Sequence, residues 1–361
     1  MKRVWIFPVV IALGAALAWL AWRPAPDEVA DVRKAGQTAG KSSVAGSAFD
    51  SHAPARSATS AVVARAPSGP PTLFGEYLKS TNYRTLYDRL ANSSEGETAE
   101  GRLVRYQLLR DCANVTDDKS YRYRGWRPGP ATREEFVAGI AMTDPNRDRR
   151  IAAYDAFNAN HCGTLSEVTI AYADLKALLQ GAAAAGDPRA RAIAVEQQLW
   201  ETRRESGGSW VRDGGVTVSD AQFEALKQSA SSRDPEAIRV TGRVLSNSWS
   251  DYALRVGADE QPVDPRPFVN AWLVLACEYG APCGADTPRM QQACAYEGRC
   301  DAQSYPDYLS YYQSSPYDSQ LLARYRGIIR DAIESGNWSQ IQLVRGQAPA
   351  VQRPTFLPGP R

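Results

Sequence analysis

One cysteine spacing occurs twice in this chain. LACEYGAPC (275–283) carries Cys277 and Cys283, and QQACAYEGRC (291–300) carries Cys294 and Cys300. Each pair encloses five residues that include a tyrosine and a glycine. Thiols so arranged can bind a metal, pass electrons or close a staple. Paired zinc thiolates usually stand about two to four residues apart. Redox-active dithiols usually enclose about two residues. Neither spacing is met, so the staple is the expected chemistry. With Cys112 and Cys162 the cysteines number six, an even count that in an exported chain points to three disulfides. Cys112 pairs with Cys162 because the other four form their own cluster. Each duplicated unit is expected to carry its own bridge, Cys277–Cys283 and Cys294–Cys300. The first cysteine would lie in a last helical turn, and the chain would reverse through Gly280 or Gly298. Pairing across the units, Cys277–Cys294 with Cys283–Cys300, is the rival that spacing leaves open.

Other chemistry is sparse. His52 and His161 are the only histidines, which argues against a multi-histidine metal site, and no metal or cofactor is expected. His161 and Cys162 are neighbours, but adjacent residues on a helix point about 100° apart. No G-x-S-x-G elbow and no H-E-x-x-H are present. A cell-wall lytic enzyme needs only one glutamate, and Glu201, Glu205 and Glu278 are the candidates. PRMQQACAYEG is similar to the Met-Gln element of transglycosylases, yet the preceding Glu-Ser and glycine-rich pattern is missing. Solvated helix faces account for these glutamates, so no catalytic residue is assigned. AGQTAGKS (35–42) fits a loosened phosphate loop, but no strand precedes it and no apolar helix follows.

Two stretches carry contact chemistry. YRYRGWRPGP (121–130) alternates Tyr121, Tyr123 and Trp126 with Arg122, Arg124 and Arg127. Rings and guanidinium groups so interleaved can stack on sugars or grip an anionic partner, and this is the candidate binding patch. SYPDYLSYYQSSPY contains Tyr305, Tyr308, Tyr311, Tyr312 and Tyr317. Tyr305, Tyr308 and Tyr312 recur at helical spacing, which predicts core or inter-repeat packing, with a partner-facing patch as the other reading.

These residues need a frame. Lys2 and Arg3 precede an uncharged run from Val4 to Trp22. Nineteen helical residues span about 28 Å, close to the thickness of a bilayer core. Basic residues in front keep the N-terminus cytoplasmic. The expectation is a single-pass inner-membrane anchor with the body in the periplasm. A signal peptide cleaved near Ala16-Leu17-Ala18, leaving a secreted protein, is the alternative. Residues 23–70 are rich in Ala, Ser, Gly and Pro, and Phe49 is the only aromatic among them. They cannot bury enough apolar surface to order themselves, so a disordered tether is expected. Residues 71–345 form the body, with a possible sub-boundary near 165, and 346–361 read as a disordered tail. The net charge of +2 implies no nucleic-acid partner.

The body reads as helix after helix, with no convincing run of strands. QLLARYRGIIRDAIESG puts Leu321, Leu322, Tyr325, Ile328, Ile329, Ala332 and Ile333 on one face. FVNAWLVLACEYG does the same with Phe268, Trp272, Leu275 and Tyr279. Asp-Pro occurs at 144–145, 187–188, 234–235 and 264–265. Asp suits an N-cap, and Pro suits the first helical position. LQGAAAAGDPRARAI (179–193) aligns without gaps on LKQSASSRDPEAIRV, 47 residues later. Each looks like a helix end, a turn and a helix start.

GDPRARAI and RDPEAIRV resemble the turns of tetratricopeptide-like helical repeats. ACEYGAPC and ACAYEGRC resemble disulfide-bridged helical-repeat proteins of bacterial envelopes, and the C-terminal segment of uncharacterised exported proteobacterial proteins. The likeness covers about residues 170–300. The Asp-Pro spacings of 43, 47 and 30 depart from a regular repeat. The resemblance implies a helical scaffold for protein contacts. The expected fold is therefore all-α, irregular stacked helical hairpins with disulfides. The expected function is a non-catalytic scaffold, adaptor or assembly factor for an envelope protein. A cell-wall hydrolase or glycan-binding module, with peptidoglycan as partner, is the alternative.

Overall fold

The computed structural model describes residues 72–116, 132–205, 216–247, 252–258 and 262–345. They are mostly helical. The chain begins with α1 (Leu73–Lys79), α2 (Tyr83–Ala91) and α3 (Ala99–Cys112), then β1 (Asn114–Thr116). Next come α4 (Arg133–Gly139), α5 (Arg147–Phe157) and β2 (Thr169–Ala171). Two hairpins follow, α6 (Tyr172–Ala184) with α7 (Pro188–Glu205), and α8 (Asp220–Ser231) with α9 (Pro235–Ser246). The rest is β3 (Tyr252–Val256), α10 (Pro265–Glu278), α11 (Pro288–Glu297), α12 (Tyr305–Tyr308), α13 (Pro316–Ser335) and β4 (Ile341–Arg345). The expected anchor at 4–22, the tether at 23–70 and the tail at 346–361 lie outside the described residues. No helix among the described residues is long and apolar enough to cross a membrane.

Local sequence sets the helix starts. Thr72, Asn82, Thr98, Thr132, Ser219, Ser304 and Ser315 each accept a hydrogen bond from a first-turn amide of the helix they open. Such a cap satisfies an amide that has no helical partner and stabilises by about 1 kcal/mol. Three of the four Asp-Pro pairs act as expected. Asp187 accepts from the Arg189 and Ala190 amides, Asp234 from those of Glu236 and Ala237, and Asp264 from that of Arg266. Asp144 instead accepts from the Asn146 amide, and α5 starts two residues beyond Pro145. The two aligned turns share their geometry. Gly186 and Arg233 stand at equivalent positions, and both take a left-handed backbone, with φ of 95° and 63°.

Packing runs from neighbour to neighbour. α3 lies on α6, α6 on α7, α7 on α8 and α9, α9 on α10, and α10 on α13. One apolar cluster runs from Phe74 in α1 to Ile341 in β4, through Leu103, Leu175, Leu199, Leu226, Phe268 and Trp272. Each fully buried side chain of this size contributes roughly 1.5–3 kcal/mol. The tightest helix crossing is α9 on α10. A Cβ built on Gly242 would lie 2.2 Å from the Trp272 Cβ, so only glycine lets the indole seat there. Most of the expected faces hold: Phe268, Trp272 and Leu275 are fully buried, Tyr325, Ile329, Ala332 and Ile333 of α13 are buried, and Tyr279 is only half-buried at the margin. Leu321, Leu322 and Ile328 pack at the margin of the same core.

The sequence offers no convincing run of strands, yet the described residues contain two small ribbons. β1 pairs with β2 in parallel, and β3 pairs antiparallel with β4, Tyr252 opposite Arg345. The longer strands have five residues, and each finds its partner far away in the chain. A run that short gives no periodic signal of its own.

Both cysteine units carry their own local bridge, and Cys112–Cys162 is the third. The Cα separations are 5.5 Å for Cys112–Cys162, 5.7 Å for Cys277–Cys283 and 4.2 Å for Cys294–Cys300. Cys277 and Cys294 lie in last helical turns, and the chain reverses through Gly280 and Gly298, with φ of 106° and 71°. Cys112 closes α3. Cys162 does not end a helix, because α5 stops at Phe157 and Cys162 precedes a short 3-10 turn, Gly163–Glu167.

Candidate interaction surface

The duplicated cysteine units build one continuous region. Tyr305 donates its amide to the Cys283 carbonyl at 2.8 Å, and Gly284 forms a β-bridge with Ser304. The segment after the second staple is thereby pinned to the loop closed by the first. α12 then runs into a π-helical turn, Leu309–Gln313, before Ser315 caps α13.

This stretch stacks tyrosines between guanidinium groups. Arg289 lies 4.7 Å over the Tyr305 ring, Tyr305 is 6.2 Å from Tyr308, and Tyr308 is 6.3 Å from Tyr312. Arg299 lies 4.4 Å over the Tyr312 ring. Tyr305 and Tyr308 are buried, as the packing reading expected, while Tyr311 is 74% and Tyr317 65% exposed. The hydroxyls of the three stacked tyrosines are committed. Tyr305 donates to Asn270 Oδ1 at 3.1 Å, Tyr308 to Glu297 Oε2 at 2.7 Å, and Tyr312 to Asp301. Burial, then the Glu297 carboxylate, pushes the Tyr308 phenol up to about 12. The bond to Asp301 raises Tyr312 in the same way and holds the Asp301 carboxyl below its ordinary range.

The second staple also receives α4 and α5. Arg150 donates to the Ala295 carbonyl at 2.9 Å and pairs with Asp144 at 2.7 Å, and Arg149 donates to the Cys300 carbonyl. Carbonyls at a helix C-terminus carry partial negative charge, which suits these cations. Phe136 stacks on Tyr154 with centroids 4.1 Å apart, and Tyr296 meets both rings edge-on.

The chemical candidates fare differently. The patch Tyr121, Arg122, Tyr123, Arg124, Trp126 and Arg127 lies outside the described residues. Its segment leaves β1 at Thr116 and returns at Thr132, the cap of α4. The His161 ring lies 5.7 Å from the Tyr83 ring, and its backbone carbonyl accepts the Tyr83 amide. Its neighbour Cys162 is bridged, and no described cysteine is free. Glu201 accepts from Tyr172, from Lys176 at 2.7 Å and from Gln197 at 3.2 Å. Burial raises its carboxyl, but the Lys176 and Tyr172 bonds outweigh that and hold it below the ordinary range. A general acid at neutral pH needs the opposite shift. Glu278 pairs with Arg330 and with Arg326 at 3.2 Å. Glu205 is exposed at the end of α7. Among the described residues no group of three or more His, Cys, Asp or Glu is placed to hold a metal.

Arg289 and Arg299 escaped the sequence reading. The tyrosines announced themselves by spacing, but the two arginines come from the start of α11 and the turn after it, and only folding brings them over the rings. The chain matches no protein-family model, no curated protein and no solved structure.

Proposed function

We propose that this protein is a non-catalytic helical scaffold or adaptor, tethered to the inner membrane through residues 4–22 with its body in the periplasm. It presents a fixed surface to an envelope protein. In this reading α6–α7 and α8–α9 are successive units of an irregular α/α repeat-like stack, and the disulfides make its ends rigid. One observation carries the reading. The duplicated cysteine units hold an array of tyrosines and arginines in place, and leave Tyr311 and Tyr317 largely exposed beside it. Tyrosine and arginine on a rigid frame are the residues that dominate protein interfaces, because they bring large contact area at small entropic cost.

The test is in-cell crosslinking of tagged full-length protein, followed by mass spectrometry of what co-purifies. An Arg122/Arg124/Trp126→Ala variant runs beside it. One dominant envelope protein is the expected result, and its loss in the variant would bring the 121–127 patch into the interface. Peptidoglycan fragments without a protein partner would overturn the adaptor reading in favour of a cell-wall function.

A further inference from the structure

Resting on the scaffold reading, we propose that the stapled unit docks an acidic segment of the partner protein, with Arg266, Arg289 and Arg299 receiving its carboxylates and Tyr311 serving as the apolar anchor. The argument is an asymmetry in how charges on this unit are satisfied. Three of its carboxylates are engaged within the unit itself. Glu297 accepts from Tyr308, Asp301 from Tyr312, and Asp307 from Ser304 at 2.8 Å. Its guanidinium groups form no ion pair, although Arg299 stands near enough to Asp301 to help lower that carboxyl. Among the described residues, none of Arg266, Arg289 and Arg299 has a carboxylate oxygen within ion-pair distance, whereas Arg84, Arg133, Arg239 and Arg243 elsewhere each do. Arg289 and Arg299 lie over tyrosine rings instead, and Arg266 donates to the backbone and side-chain oxygens of Gln313, each at 2.7 Å.

A guanidinium held over a ring is positioned but not neutralised. It has five N–H donors. Arg289 is held over the Tyr305 ring, and no carboxylate within the described residues stands at ion-pair distance from its donors. The three arginines are exposed. An exposed guanidinium whose rotamer is already fixed loses little entropy when a carboxylate docks two-pronged on its edge. Complementary charge also steers the approach of an acidic partner. Tyr311, 74% exposed and 6.4 Å from Tyr312, adds a large apolar ring beside the charges.

The experiment places a photo-crosslinking amino acid at position 311, and separately at position 126, in the full-length protein in cells. Each is combined with the native sequence, with R289E/R299E, and with R289Q/R299Q, which removes the charge without reversing it. A circular-dichroism melt of each variant checks the fold. The expected result is a discrete protein adduct at 311 that falls about tenfold in R289E/R299E and by a smaller factor in R289Q/R299Q. In lysate its yield declines as salt rises. An adduct at 311 that withstands both variants overturns the acidic-partner chemistry. A protein adduct at 126 with none at 311 overturns this face while the scaffold reading stands. No protein adduct at either position, with glycan recovered instead, overturns both.

Discussion

Replacing Arg189 by Met removes a guanidinium shared by three carboxylates. Arg189 opens α7 and is nearly buried. It bonds Asp187 with Nη2 at 2.6 Å and Nε at 3.2 Å, and Glu100 at 3.1 Å, and it lies 3.8 Å from Asp234. Asp187 and Asp234 are the caps of the two aligned turns, so this side chain joins one hairpin to the next. The Asp187 side chain is 3% exposed and that of Arg189 is 10% exposed, so solvent does little to screen the pair. Removing one partner of a buried pair costs about 3–5 kcal/mol, because the other charge is left without compensation. Met keeps most of the aliphatic volume but gives up the contact over the Phe74 ring, 4.7 Å away in the native protein, worth about 0.5–1 kcal/mol more. In a body of this size each kcal/mol lowers Tm by about 2 °C, so the expected fall is about 7–12 °C.

The sign with pH is fixed as well. Burial already raises the Asp234 carboxyl above its ordinary range. Without the Arg189 charge, which lowers it, it rises further. A carboxyl raised in the folded state binds its proton more tightly there than in the unfolded chain. The deficit of the Met variant therefore shrinks as pH falls through the raised pKa and is largest at neutral pH. Urea unfolding followed by far-UV circular dichroism at pH 7 and pH 5 measures both effects. The Asp187→Asn/Arg189→Met double variant should lose less than the sum of the two single losses. A loss under about 1 kcal/mol at pH 7, or a deficit that does not shrink on acidification, would refute the account.

Further expectations follow the same logic. Gly242→Ala gains about 1 kcal/mol in helix propensity but sets a methyl 2.2 Å from the Trp272 Cβ, so the clash wins and Tm falls by several degrees in a melt. Cys112→Ser/Cys162→Ser opens a loop closed over 50 residues, and Cys277→Ser/Cys283→Ser one closed over six. Chain entropy assigns these about 4 and about 2 kcal/mol, so the first variant should show the lower urea midpoint. Asp144 is held below the ordinary carboxylate range by the Asn146 amide and by Arg150. The stability it confers is present above that range and is lost as pH falls through its lowered pKa, so Asp144→Asn should show a smaller drop in Tm between neutral and acidic pH than the native protein.

Some of this architecture is legible in single stretches of chain. Asp187-Pro188, Asp234-Pro235 and Asp264-Pro265 mark helix starts because capping and proline stereochemistry act within four residues. The bridges of the two cysteine units are equally local: a last helical turn, a left-handed glycine and a second cysteine bring the sulfurs together without help from the rest of the fold. The inward faces of α10 and α13 follow from helical periodicity. The rest depends on residues distant in sequence. β3 needs β4, and neither has a partner nearby in the chain. Arg189 owes two of its three carboxylate neighbours, Glu100 and Asp234, to separate elements, and Gly242 is indispensable only because Trp272 crosses it. Spacing could place Tyr305, Tyr308 and Tyr312 on a helix, but the arginines over their rings arrive from α11 and the turn after it. Local hydrogen bonds and backbone stereochemistry are written in adjacent residues, so the sequence alone determined most helix starts and which four cysteines form the staples, while spacing left their pairing open. Which charges are buried together, and which guanidinium groups are left without a carboxylate, depends on surfaces that meet only when the helices pack, so the tertiary structure alone decided them.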